Sequence, residues 1–320
     1  VLECTHSYNQ SAYYAGDSDE KLFWEGYDAI AQTRDAQAYI RGHGGERPFF
    51  LMLSWGPPHA PYGTAPEEYR ALYDAQEIEL RPNVSLEEVA RVKEAQAERM
   101  RRRAQTDPRF KGALQRMRQT TLEEDLAGYY AHCTAIDRCM GRLVDALERL
   151  GLADNTILVF SSDHGDMLWS QGRTKKQQPW EESVHIPLIV RWPNGLAAGQ
   201  TSDLLISVAD YAPTLLGLAG IPVPDSMNGL DLSALLRPTK DEGPKTNRSL
   251  DGSHSSSVVR PLSVFLNEYV SFDQARAYQP WRGVRTERYT YARWLQGGTL
   301  LYDTANDPYQ LRNLALEPGH

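Results

Sequence analysis

The chain is 320 residues long, which gives room for a sizeable core in one large domain or two. Its apolar content of 41% and aromatic content of 10% are those of a globular protein, and its net charge of −8 argues against a nucleic acid or an anionic membrane as partner of the whole chain. No apolar run reaches the roughly 18 residues of a membrane span, and three cysteines (Cys4, Cys133, Cys139) are too few for a disulfide framework, so compartment and oligomeric state stay open.

In chain order, residues 1–27 are aromatic and polar without a period, and read as a loop packed on a core; Cys4 and His6 within it read as structural. Ile30, Arg34, Gln37 and Ile40 fall at helical intervals, predicting an amphipathic helix that stops near Gly42-His43-Gly44-Gly45. Pro48-Phe-Phe-Leu-Met-Leu-Ser-Trp55 predicts a buried strand running into Gly56-Pro57-Pro58-His59-Ala60-Pro61-Tyr62. A histidine between prolines has little freedom, which suits a preorganised donor at His59; the alternative is a surface histidine in a proline-rich turn.

Residues 83–118 read as a helical insertion with a capping-type start at Ser85-Leu-Glu-Glu88, and its Arg101-Arg102-Arg103 run as a solvated face. From Thr120 to Leu150 apolar residues recur at 122, 126, 129, 133, 136, 140, 143, 147 and 150, predicting a long helix ended by Gly151. Asp137, lying in that stripe, is expected to be a hydrogen-bonded core acid.

Thr156-Ile-Leu-Val-Phe160 suits a strand buried on both faces of a parallel sheet, and it breaks into Ser161-Ser-Asp-His-Gly-Asp166 at the carboxyl end, where open α/β sheets bind ligands. The Asp163 carboxylate and the His164 imidazole suit a divalent cation, while Gly165 lets the backbone turn sharply behind them. The alternative is a turn that Asp163 merely caps. Lys175, Lys176, Pro179-Trp-Glu-Glu182 and a second strand, His185-Ile-Pro-Leu-Ile-Val-Arg-Trp-Pro193, follow. Leu204–Leu218 predicts a helix with Pro213 near its start and Gly220 at its end, and Asp231–Leu236 a short one. Residues 237–257, rich in Pro, Gly, Ser and charge, read as a linker in which His254 is solvated. Short strands are expected beyond it, at Leu262–Val270, Gly283–Leu295 and Thr299–Tyr302.

Ser-Ser-Asp-His-Gly-Asp…Lys-Lys-Gln-Gln-Pro-Trp-Glu-Glu-Ser-Val-His-Ile-Pro-Leu-Ile-Val resembles the sulfatase family of the alkaline phosphatase superfamily, as do Pro58-His59-Ala60-Pro61-Tyr62, Gly26–Thr33 and Leu301–Leu314. The resemblance covers about residues 20–316 apart from the insertion. It implies an α/β sandwich with a mostly parallel central sheet flanked by helices, and a small C-terminal antiparallel α+β subdomain. The organisation expected is a catalytic domain over 1–236, incomplete at its N-terminus, the 237–257 linker, and the subdomain over 258–320.

For function, the resemblance implies hydrolysis of a small-molecule or glycan sulfate ester with one divalent metal, Ca2+ foremost and Mg2+ or Mn2+ as alternatives. Asp163 and His164 would be half of the ligand set, Lys176 would bind the sulfate oxygens, and His59 would contact the sulfate or protonate the leaving alcohol. Lys175 fits the family spacing less well. Gln171 departs from the pattern, standing where many members carry a second histidine.

Three family features have no counterpart in the sequence: the Cys/Ser-x-Pro/Ala-x-Arg formylglycine motif, an Asp-Asp pair of metal ligands, and a Gly-Lys-Trp-His-type Lys/His pair. Cys4, Cys133 and Cys139 are each in the wrong context, and Ser256-Ser-Val-Val-Arg260 has Val where Pro or Ala belongs. The expectation is therefore a chain lacking the N-terminal part of a sulfatase, inactive by itself, with a raw edge on its sheet. The alternatives are a phosphonate monoester or phosphodiester hydrolase of the same superfamily, and a non-catalytic homologue that binds an anion or a partner.

Overall fold

The computed structural model describes residues 8–43, 45, 47–106, 120–237, 263–267 and 280–317. The linker beyond Arg237, His254, the Ser256–Arg260 candidate and Cys4-Thr-His6 all lie outside these residues. The chain divides into two compact units: Val1–Ala153 with Leu168–Thr174, and Asp154–Met167 with Lys175–His320.

The first unit is mainly helical. A two-residue antiparallel pair, β1 (Ala12–Tyr13) with β2 (Leu22–Phe23), precedes α1 (Asp28–His43), α2 (Glu67–Arg70), α3 (Leu86–Thr106) and the long α4 (Leu122–Arg149). A reciprocal capping box starts α4: the Thr121 hydroxyl accepts from the Glu124 amide, and the Glu124 carboxylate accepts from the Thr121 amide. Ser85 caps α3 in the predicted place by accepting from the Glu88 amide.

The buried face of α4 keeps Leu122, Leu126, Ile136, Leu143 and Leu147 of the predicted stripe and widens to Gly128, Ala131, His132, Ala135 and Cys139, whereas Cys133 and Asp137 are exposed. Small residues decide this: a Cβ on Gly128 would sit 2.6 Å from the Tyr62 carbonyl oxygen, so the backbones approach where side chains are absent. Asp137 is thus a solvated acid, and the buried polar group of the helix is His132, at 0% exposure.

Pro48–Trp55 is extended but forms no strand pairing among the described residues. Its period of two survives as a packing pattern. Phe49, Leu51, Leu53 and Trp55 pack against Ala36, Ile40, Leu143 and Leu147, while Phe50 and Met52 point outward at 82% and 78% exposure.

The second unit carries the remaining strands. β3 (Leu158–Ser161) pairs with β4 (Leu188–Arg191), followed by α6 (Tyr211–Ala219) and α7 (Ser233–Leu236), with the one-turn α5 (Glu181–Val184) lying between β3 and β4. The β3–β4 register is antiparallel, Ser161 opposite Leu188, in place of the parallel pairing expected for this strand. The physical reason is the connection: parallel pairing needs a crossover back to the strand's start, and residues 162–187 leave and re-enter at the same end of the ladder. Pro213 falls in the first turn of α6 and Gly220 ends it at φ +72°, as predicted.

C-terminally, β5 (Ser263–Asn267), β6 (Trp281–Thr286), β7 (Tyr289–Trp294) and β8 (Thr299–Asp303) form an antiparallel meander in that order. The predicted Gly283–Leu295 strand is two, turned at Glu287-Arg288. Arg288 forks onto the Asp303 carboxylate with 2.6–3.1 Å bonds and holds that acid down at about 2. One face of the meander, with Trp281, Ala292, Leu300 and Tyr302, packs on Met167 and Trp180.

Candidate active site

The ladder of β3 ends at Ser161, whose hydroxyl donates to the Pro187 carbonyl at 2.8 Å and lies 2.9 Å from the Tyr211 hydroxyl. The next turn is shaped by short polar side chains. Ser162 Oγ donates to the His164 carbonyl at 2.7 Å, and Asp163 Oδ1 accepts from the His164 amide at 3.0 Å. His164 Nδ1 lies 2.7 Å from the Gly165 carbonyl. A carbonyl only accepts, so Nδ1 carries the proton, and in the neutral ring Nε2 is left with its lone pair. That Nε2 lies 3.4 Å from Asp163 Oδ2, and the Asp163 side chain is 84% exposed. An oxygen and a nitrogen donor converge on one point, with the imidazole's other nitrogen tied to the backbone, which is how metal-binding histidines are oriented. The chemistry of these two donors would suit a divalent cation; among the described residues no third His, Cys, Asp or Glu joins them.

Gly165 is needed for a different reason from the one its turn suggested. Its φ is not left-handed; instead a Cβ there would stand 2.0 Å from the Glu182 carbonyl oxygen, and its amide donates to the Ser183 carbonyl at 2.9 Å. The loop is thus pressed directly onto the start of α5.

Lys175, the neighbour of Lys176, is tied to the end of this loop by two bonds. Asp166 Oδ1 accepts from the Lys175 amide at 3.0 Å, and the Met167 amide donates to the Lys175 carbonyl at 2.7 Å. Lys175 is exposed and Lys176 half-buried, and among the described residues no hydrogen bond or ion pair engages the Lys176 ammonium. Beyond it the indole of Trp180 is buried and donates to the Tyr302 hydroxyl at 3.4 Å. Burial pushes the Glu181 carboxyl up, but hydrogen bonds from His185 and Arg285 outweigh it and hold it below its ordinary value; the same contact with Glu181 raises His185.

His59 belongs to the first unit, where the Gly56–His59 turn closes at 3.3 Å and its Nδ1 lies 2.8 Å from the Ala60 carbonyl. The Tyr8 hydroxyl donates to that same carbonyl at 3.3 Å. Just beyond, His132 Nε2 lies 3.4 Å from the Pro61 carbonyl and its Nδ1 2.6 Å from the Tyr27 hydroxyl. Burial lowers His132 to about 4 and raises Tyr27, so the imidazole is neutral and the phenol keeps its proton. Tyr27 then donates to Nδ1, and Nε2–H is directed at Pro61. His132 was invisible in the sequence because it sits beside, not within, the apolar stripe. Gln171 is in the same unit at φ +55°, its amide donating to the Asn83 carbonyl at 2.8 Å.

The chain belongs to the sulfatase family: the family's profile matches residues 4–221, and a second profile, N-sulphoglucosamine sulphohydrolase, C-terminal, matches residues 171–320. It is 34% identical over 322 aligned residues to an ulvan-active sulfatase of Formosa agariphila, with 99% of this chain and 54% of that one covered. It is 32% identical to an endo-4-O-sulfatase of Bacteroides thetaiotaomicron, covering 91% of this chain and 53% of that one. A solved structure described under the metabolism of multiple glycosaminoglycans by Bacteroides thetaiotaomicron superposes with a TM-score of 0.72 at 28% identity, covering 96% of this chain and 58% of that one. The chain therefore spans about half the length of the relatives it matches. The fold is mixed α/β of the sulfatase and alkaline-phosphatase-like type with a C-terminal antiparallel sheet, and sulfatases as a family use a divalent metal. Among the described residues, no helix is long and apolar enough to cross a membrane.

Proposed function

We propose that this chain is the part of a sulfate-ester hydrolase that supplies half of the metal site and the anion-binding lysine, acting on sulfated glycans. The carrying observation is the pairing of Asp163 Oδ2 with His164 Nε2 at 3.4 Å, the ring's Nδ1 being tied to Gly165. Calcium is the ion we assign, since an exposed carboxylate offers it hard oxygen, with magnesium or manganese as alternatives. A divalent cation held there would polarise the ester oxygen. The Lys176 ammonium, half-buried and without a carboxylate on it among the described residues, is suited to lie on sulfate oxygens and offset charge as the leaving oxygen departs. His59, fixed in its proline turn, is assigned to donate to the sulfate or to the leaving alcohol on the strength of its motif. The glycan class is supported by the relatives, one named as ulvan-active and one as an endo-4-O-sulfatase.

The nucleophile of this chemistry is a formylglycine, whose precursor motif is not in this sequence, so the 320-residue chain is expected not to turn over substrate. Two measurements test the reading. Titration of the chain with calcium, magnesium and manganese should show binding that Asp163→Asn weakens by roughly 10-fold or more. Reading the coding sequence upstream of Val1 should show an Asp-Asp pair and Cys/Ser-x-Pro/Ala-x-Arg. The protein carrying them should hydrolyse aryl sulfates faster than phosphonate monoesters or phosphodiesters. The reverse preference would move it to the phosphonate hydrolases, and a start codon near Val1 without the motif would leave a non-catalytic binding module.

A further inference from the structure

The segment carrying Lys176 is backbone-strained on both sides. Lys175 has φ +65° and Gln177 φ +72°, a left-handed conformation that non-glycine residues avoid. Such residues persist only where surrounding contacts over-determine them. On the N-terminal side those contacts are the Asp166 and Met167 bonds to Lys175.

On the C-terminal side they come from a different part of the sequence. Trp281, 4% exposed at the start of β6, donates its indole N–H to the Gln177 carbonyl at 3.2 Å. Arg285 on the same face of β6 donates to Glu181 Oε1 at 2.9 Å, and Thr290 of β7 adds a 3.3 Å bond to the same oxygen. Gln310, 1% exposed, accepts from the Glu181 amide at 2.9 Å. The Arg285 and Glu181 side chains are only 18% and 17% exposed, so water screens the pair little. Trp180, the residue before Glu181, packs on the same sheet face.

We infer that the C-terminal sheet is a clamp that sets the position of the Lys176 ammonium, with Trp281 and Arg285 as positioning residues acting through Gln177 and Glu181. The inference deepens the sulfate reading of Lys176 and rests on it for its functional meaning. The mechanical part stands on the hydrogen bonds and the two left-handed residues alone. Lys176 touches neither Trp281 nor Arg285 through a hydrogen bond among the described residues, so both act on it through the backbone turn.

Limited trypsinolysis of the 320-residue chain, followed by mass spectrometry, reads the turn directly. Cleavage at Lys176–Gln177 is compared with cleavage at the exposed arginines of α3 in the same digest. Trp281→Phe keeps an aromatic ring in the core and deletes the N–H; it should speed cleavage at Lys176 about five- to tenfold relative to the α3 sites. Glu181→Gln, which keeps shape and loses the charge, should act in the same direction even if Trp281→Phe folds poorly. Gln177→Gly in the Trp281→Phe background should return the rate toward wild type, since glycine adopts φ +72° without strain and no longer needs the indole; loss of general stability would not be rescued this way. Unchanged cleavage in both single variants, or equal acceleration at α3 and at Lys176, overturns the clamp. In parallel, sulfate ion should slow acetylation of Lys176 in the wild type and about fivefold less effectively in Trp281→Phe. No protection in the wild type sinks the sulfate role of Lys176, and the cleavage comparison still decides the clamp.

Discussion

Replacing Gly165 with alanine probes whether the geometry of the 162–166 loop depends on close backbone packing. The added Cβ would meet the Glu182 carbonyl oxygen at 2.0 Å, where contacts under 3.0 Å essentially never occur. The 162–166 loop and the start of α5 must therefore part by about 1 Å, and the Gly165 amide loses its 2.9 Å bond to Ser183. The lost hydrogen bond is worth about 1 kcal/mol, and the overpacking costs about 1–3 kcal/mol. Together they lower the unfolding free energy by roughly 2–4 kcal/mol. Urea unfolding measures this, with Gly141→Ala as the control. Gly141 lies inside α4 with no atom within 4 Å of the place a methyl would take, so alanine there should stabilise by about 0.5–1 kcal/mol. Calcium titration of the Gly165→Ala chain should show weaker binding as Asp163 and His164 shift with the loop. An unfolding midpoint and a calcium affinity both equal to wild type would refute the reasoning.

Three further outcomes are expected. His132 is depressed from 6.5 to about 4 by burial, so the unfolded chain takes up a proton that the folded chain resists; stability is fully present above pH 6.5 and falls by up to about 3 kcal/mol as pH drops toward 4. Urea midpoints across that range should show this loss, and His132→Gln should flatten it. His185 is raised by its contact with Glu181, so its contribution is fully present below the ordinary histidine value and disappears as pH rises through the higher folded value; Glu181→Gln should abolish that alkaline loss in the same assay. Phe50 and Met52 are exposed at 82% and 78% on an extended segment without a strand partner among the described residues, so Phe50→Ser with Met52→Lys should reduce self-association in sedimentation while leaving the unfolding midpoint within about 0.5 kcal/mol of wild type.

Local chemistry was legible in the sequence wherever it is set by neighbours along the chain. The α3 start follows from Ser85 with a glutamate three residues on, and the stop of α6 from Gly220. The Asp163–His164 pairing is equally local, because adjacent side chains at a strand end need only one turn to converge. The Pro48–Trp55 alternation was readable as a packing pattern, but whether it would join a ladder was not, since pairing depends on a partner elsewhere in the chain.

Tertiary structure alone decided the rest. It turned β3 and β4 antiparallel, because the direction of a strand pair is set by where the connection re-enters, not by the strand's own residues. It chose His132 over Asp137 as the buried polar group of α4, because small side chains at Gly128, Ala131 and Ala135 admit closer neighbours than larger apolar ones do. It assigned the turn around Lys176 its supports at Trp281, Arg285 and Gln310, residues 105, 109 and 134 positions downstream of Lys176 by their numbering, where no local period or motif could point to them. Adjacent side chains in one turn can be read from the sequence, whereas the groups that hold such a turn still are chosen by the fold.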